Sequence, residues 1–216
     1  NAQTLAKQVA YKLKELKRDM ETMLTANVAA SAGASGTARQ TAGLPAFLTS
    51  NTAGGSGFAV GTTSGSGASG YPDAAATDGT KRDITEAILK SVIASCWDAG
   101  AEPSIVLCGS FNKQEISTFT GNATKYKDIT DKTLSAAIDV YVSDFGELTI
   151  VPSRFHRARD VFVLDPNYAR VCYLKTASQK PLARTGHSER RLISVEYGLQ
   201  VDNEAAHGFV ADCSTS

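Results

Sequence analysis

The sequence has no surplus of charge. Its 216 residues carry 22 Lys and Arg against 22 Asp and Glu, a formal net charge of zero. A dedicated nucleic-acid binder works through a basic field, and the chain as a whole has none. The same neutrality argues against a membrane-surface protein, and no apolar run approaches the ~20 residues of a membrane span. A chain without net charge repels its own copies little, so self-association meets no long-range opposition. Cysteine is scarce as well. Cys96, Cys108, Cys172 and Cys213 stand far apart, in neither a metal-site pattern nor a C-x-x-C redox pair. Cys96, Cys108 and Cys172 have apolar neighbours and read as buried, reduced thiols, which points to synthesis inside a cell. No signal-peptide pattern opens the chain. It starts at Asn1 without an initiator Met, as a fragment or processed product would.

Motifs for catalysis, cofactors and metals are nearly absent. Gly65-Ser-Gly67-Ala-Ser-Gly70 matches the dinucleotide fingerprint G-x-G-x-x-G. That motif needs a strand before it and a helix after it; here it sits in a Gly/Ser tract with Pro72 next. Asp144-Phe145-Gly146 matches a kinase metal-binding triplet without its companions and reads as a hairpin turn. The sequon Asn122-Ala123-Thr124 has no meaning without secretion. His156, His187 and His207 stand singly and read as loop or rim residues, not ligands. Asp128 and Asp131 lie in a polar, solvated stretch. One enzyme reading survives as an alternative. Ser110-Phe-Asn-Lys113 has the S-x-x-K spacing of penicillin-binding serine hydrolases, with Ser143-Asp144 and Arg184-Thr185-Gly186 in the order of their other elements. Lys113, one turn from Ser110, would activate its hydroxyl. Phe145 and Arg184 replace required residues, so we assign no catalytic, cofactor-binding or metal residue.

What the chain does have is two long regular segments. Leu5, Val9, Leu13, Leu16, Met20, Met23 and Leu24 recur at spacings of three and four and predict one helix over residues 4–29. Near the other end, Ile193, Val195, Tyr197, Leu199 and Val201 alternate with Ser194, Glu196, Gln200 and Asp202. A period of two over residues 191–203 predicts a strand with one buried side, longer than the usual strand of about 5–6 residues. Between them, 43–48 is a short apolar anchor. Residues 49–80 are mostly Gly, Ser, Thr and Ala, and are expected to be mobile or ordered by a neighbouring subunit. Asp83 is expected to cap a second helix, with Glu86 closing a capping box. The helix's apolar stripe is wide enough to place Trp97 in the core. A strand at 104–108, a helix at 110–119 capped by Ser110, a hairpin at 138–151, and strands at 161–164 and 169–174 follow. The order is α+β, not repeating βαβ.

A series of motifs carries a resemblance. It comprises E-L-K-R-D-M-E (Glu15–Glu21), A-G-L-P-A-F-L (Ala42–Leu48), T-D-G-T-K-R (Thr77–Arg82), G-S-F-N-K-Q (Gly109–Gln114), V-Y-V-S-D-F-G (Val140–Gly146), L-A-R-T-G-H-S-E-R-R (Leu182–Arg191) and V-E-Y-G-L-Q-V-D-N-E-A-A-H-G (Val195–Gly208). In order and over nearly the whole chain, it resembles the major capsid proteins of tailed phages related to phage SU-ten, which have the Hong Kong 97-type capsid fold. The resemblance implies a peripheral domain over 1–48 with a spine helix, a Gly/Ser-rich insertion over 49–82, an axial domain over 83–177, and a return to the peripheral domain over 178–216. It implies pentamers and hexamers of the chain in an icosahedral shell around double-stranded DNA, held without sequence readout. Portal, scaffold or decoration proteins are implied partners, and the virion is the location after synthesis in the bacterial host cytoplasm. A cellular encapsulating shell of the same fold is the second alternative. Such proteins carry an N-terminal arm and an extended loop ahead of the spine helix; nothing precedes it here, and the chain alone is expected to assemble poorly.

Overall fold

The computed structural model describes residues 2–64, 71–119, 139–184 and 186–216. Its elements are α1 (Ala2–Thr25), α2 (Leu44–Phe47), β1 (Thr52–Ala53), β2 (Thr62–Ser64), β3 (Tyr71–Ala74), α3 (Glu86–Asp98), β4 (Ile105–Cys108) and α4 (Ser110–Ser117). After these come β5 (Val140–Ser143), β6 (Gly146–Pro152), β7 (Val161–Leu164), β8 (Ala169–Pro181), β9 (Arg191–Val201) and β10 (Gly208–Val210). The architecture is mixed α+β. A six-stranded mixed sheet runs in the order β1-β10-β7-β4-β6-β5, and β2-β3 and β8-β9 form separate antiparallel pairs.

Two apolar clusters hold the sheet. On one face Leu89, Val92, Ile93 and Cys96 of α3 and Ile116 of α4 pack on Val106, Tyr141, Leu148, Ile150, Val161 and Val163. On the other, Leu44 and Leu48 pack on Phe162 and Phe209, whose rings stack at 5.2 Å between centroids. A side chain at Gly208 would place its Cβ 2.3 Å from Val92 Cγ1, so its absence is what lets α3 lie on β10. The 49–80 stretch departs from expectation. Thr52 and Ala53 pair in parallel with Phe209 and Val210, so this chain itself orders the near flank. The glycine-rich 65–70 motif lies outside the described residues, as do Asn122, Asp128, Asp131, Ile138 and Thr185. β10, expected in the peripheral return, lies inside the six-stranded sheet.

Helix α1 stops at Thr25, short of the expected residue 29. Ala26 to Ala29 are compatible with helix, but their backbone is used elsewhere. Gly43 N donates to Val28 O (3.0 Å) and Ala30 N to Pro72 O (2.8 Å), while the Asn27 amide bridges both backbone groups of Ala76. A Cβ at Gly43 would lie 1.7 Å from Ala26 O, so this junction admits only glycine.

The cap of α3 is also not the expected one. Thr85 occupies the N-cap and accepts from Ile88 N at 3.4 Å; Glu86 is the first helical residue and pairs with Lys90 at 2.8 Å. Asp83 makes no cap. Thr85→Ala is therefore expected to cost about 1 kcal/mol, within the usual 0.5–2 for a lost cap, and Asp83→Ala close to nothing; urea unfolding of the two variants checks this. In α4 the cap position is Gly109, with no side-chain bond, and Ser110 is its first residue.

Candidate assembly surfaces

The lysine of the serine-hydrolase alternative is engaged elsewhere. The Lys113 ammonium donates to Asp139 Oδ1 at 3.1 Å and approaches Ile150 O at 3.4 Å. A lysine so engaged acts as a donor, not as a base. Ser143 Oγ donates to Gly146 O (2.8 Å) and accepts from Phe145 N (3.3 Å), which closes the β5–β6 turn as expected for Asp144-Phe145-Gly146. Arg184 follows β8 at the far end of the β8–β9 ribbon. Among the described residues, no group of His, Cys, Asp or Glu could hold a metal ion.

The histidines and one cysteine correct the sequence reading. His156 and His207 are buried, not at a rim. His207 Nδ1 accepts from Asp165 N at 3.3 Å, so the ring proton sits on Nε2. Burial holds both imidazoles below their ordinary range. Cys96, Cys108 and Cys213 are buried, and burial pushes their thiols up to about 11, about 11 and about 12. Cys172 is exposed and donates to Gln200 Oε1 at 2.9 Å. Its side chain lies on the uncovered ribbon.

A charged clamp that periodicity could not reveal ties distant segments together. Asp212, fully buried, has φ of +61°, a region that Asp tolerates better than most residues. Its carboxylate accepts from Gly55 N (3.1 Å), Gly79 N (3.0 Å) and the Arg159 guanidinium. Arg159 also donates to Gly79 O at 2.7 Å and to Asp78 at 3.2 Å, and Arg157 pairs with the same Asp78. Helix α1 joins through Glu21, which accepts from Ser153 Oγ, and Arg18, 5.6 Å above the Phe155 ring. The one sequence signal was a carboxylate at 212 in an otherwise apolar run. An open groove of about 530 Å³ lies beside the clamp, walled by Thr22, Asn27, Val28, Asp78 and Arg157. Its two charged wall residues neutralise each other.

The surfaces left uncovered are large. β8 and β9 form a ribbon of 13 and 11 residues, about 35–40 Å long at roughly 3.3 Å per residue. β8 runs on to Pro181, beyond the expected end at Leu174. Lys175 to Lys180 lack apolar alternation, and the ladder shifts register on either side of Lys175 before Ser178 to Lys180 pair regularly with β9. The expected buried side of β9 is only half-covered, and Leu174 on β8 is 85% exposed. The second surface is the β5–β6 end of the sheet. Tyr141 is the buried residue of β5, its hydroxyl donating to Glu86 at 3.2 Å. Val140 and Val142 therefore face outward, 50% and 53% exposed, with Val151 nearby on β6. Trp97, expected in the core, is 50% exposed and packs on Phe145 at 5.1 Å between ring centroids. The α3 stripe is wider than the sheet beneath it, so its last turn overhangs. Exposed apolar area on this scale marks an interaction surface.

Comparison with known proteins gives these surfaces a meaning. The SU10 major capsid protein family model matches residues 1–214. No curated protein matches the chain. Among solved structures it is similar to one described as the crystal structure of a virus-like particle from Pyrococcus furiosus, at 14% identity and a TM-score of 0.37. The match covers 62% of this chain and 55% of that one, little more than half its length. A likeness that distant carries no argument; the family match, which spans the described fold from α1 to β10, does. The chain belongs to the SU10 major capsid protein family.

Proposed function

We propose that the chain builds an icosahedral phage head of the Hong Kong 97 type. In this reading α1 is the spine helix, and with β9 and the last residues of β8 it forms the peripheral part, residues 1–48 and 178–207. The axial part is 83–177 with β10, packed around the five- and six-fold axes of pentamers and hexamers. Residues 49–82 form the insertion between them. The role is geometric, not catalytic: many modest heterologous contacts, repeated by rotation, close into rings and then into a shell. Double-stranded DNA lies inside, held without sequence readout, and Lys7, Lys12, Lys14, Lys17 and Arg18 of α1 are candidates for facing it. Portal, scaffold or decoration proteins complete the head, which is made in the bacterial cytoplasm and ends in the virion. Among the described residues no helix is long and apolar enough to cross a membrane.

The observation that carries this reading is the family match over residues 1–214. Its test is expression of the natural open reading frame that contains this chain, followed by electron microscopy. Closed icosahedral particles with this protein as the main component are expected. Tubes, or monomers only, would overturn the icosahedral reading.

A further inference from the structure

The two uncovered surfaces differ in charge as well as position. Next to Trp97 and Phe145 along the chain the exposed charges are Asp98, Asp144 and Glu147, the last standing opposite Val142 on the hairpin face turned away from Tyr141. Lys90, close enough to Asp144 to feel its charge, is engaged by Glu86, and Lys113 by Asp139. The β5–β6 end is thus an apolar patch with an acidic rim. The far end of the ribbon is its converse. Residues 180–191 carry Lys180, Arg184, Arg190 and Arg191 against Glu189, which pairs with Arg191 at 2.7 Å. Among these lie Leu182 and Leu192, 46% and 47% exposed; Leu182 N donates to Arg190 O at 3.0 Å and Leu192 stands opposite Lys180, so the two leucines lie diagonally on one face of the ribbon. Asp144, Glu147, Arg184 and Arg190 form no ion pair among the described residues.

We propose that these surfaces are two halves of one contact between copies of the chain: the basic, leucine-bearing ribbon end of one subunit docks on the acidic-rimmed Trp97–Phe145 patch of the next. This rests on the capsid reading and deepens it by naming the occupant of each surface. The occupant is a second copy because the charges complement each other and because each surface, on its own, leaves large apolar side chains in water. The two halves differ, so the contact is heterologous. Each subunit offers one half in each direction, as propagation around a ring or along a lattice requires. Leu182 and Leu192 supply the buried centre against Trp97 and Phe145. The arginines and carboxylates form the rim, setting register and speeding encounter, an effect that weakens with salt.

The geometry gives a test by charge reversal. One variant carries Asp144→Lys and Glu147→Lys; the other carries Arg184→Glu and Arg190→Glu. All four residues are exposed, so both variants are expected to melt with the wild-type midpoint. Sedimentation velocity at low salt, up to millimolar chain, detects contacts as weak as a Kd of about 1 mM. Wild type is expected to form concentration-dependent oligomers and each variant alone to lose them. An equal mixture of the two is expected to regain them, because alternating copies restore opposite charges at every contact. If wild type associates and both variants associate equally well, or the mixture does not recover, this contact is wrong and the capsid reading stands. A wild-type chain that stays monomeric throughout would overturn this contact and leave the capsid reading, which rests on the family match and is tested by the particles of the natural open reading frame, in place.

Discussion

Arg159→Met is expected to destabilise the fold by about 3–5 kcal/mol, the usual consequence of leaving one partner of a buried ion pair without the other. Asp212 is fully buried and the Arg159 side chain is 18% exposed, so solvent does little to replace the lost cation. The two backbone amides of Gly55 and Gly79 remain on the carboxylate, but they supply dipoles, not a charge. Against a typical total of 5–15 kcal/mol, the loss is large. It falls where the chain's C-terminal end, the 55 and 79 turns and the 157–160 loop meet, so unfolding should become easier without a change in the sheet itself. Denaturant titration reads the result as a lower midpoint. The double variant Arg159→Met/Asp212→Asn separates the causes. Asn keeps the left-handed backbone tolerable and removes the stranded charge, so the double variant should recover part of the loss. A midpoint shift worth less than about 1 kcal/mol in the single variant would mean that water reaches Asp212.

The second large effect is a pH dependence set by Asp160. Its side chain is 1% exposed and neither carboxylate oxygen has a hydrogen bond. Burial pushes the carboxyl up to about 7. Arg157, at 3.5 Å, and Arg159 pull it down, and Asp78 and Asp212 push it further up. In the unfolded chain the group titrates near its ordinary value of 3.8. Between those values the folded protein keeps a proton that the unfolded chain has lost. The contribution is therefore full below the unfolded pKa and is lost as pH rises toward about 7. At 1.36 kcal/mol per unit it is on the order of a few kcal/mol. His156 and His207 work in the opposite sense. Their depressed values make the fold lose stability as pH falls below about 6.5, where the unfolded imidazoles charge first. The wild-type curve is thus a sum of opposed slopes. Subtracting it from that of Asp160→Asn cancels the histidines and isolates Asp160. The variant is expected to melt higher than wild type above neutral pH and to lose that advantage toward about pH 4. A constant difference between the two thermal unfolding curves across that range would show that Asp160 is ionised throughout.

These two sites mark the boundary between what was legible in the residues and what was not. Periodicity is a local property, and the elements it defines were readable. The stripe from Leu5 to Leu24 made α1, and the alternation from Ile193 to Val201 made β9. The turn at Asp144-Phe145-Gly146 made the β5–β6 hairpin. The order of these elements established α+β, and the series of motifs from Glu15 to Gly208 carried the family. Which face of an element is buried depends on what the rest of the chain brings against it. β5 shows this plainly: Val140 and Val142 are more apolar than Tyr141, yet Tyr141 is buried because α3 and Glu86 lie on its side. Trp97 sits outside for the matching reason, at the end of a helix longer than the sheet it covers. Lys175 to Lys180 became strand because β9 opposite offered a ladder, not because of their own pattern. Thr52 and Ala53 became strand because Phe209 and Val210 returned to meet them. The Arg159–Asp212 clamp joins residues 53 positions apart. A single charged residue has no period, so only the folded chain, by removing water from both at once, decides that they are partners.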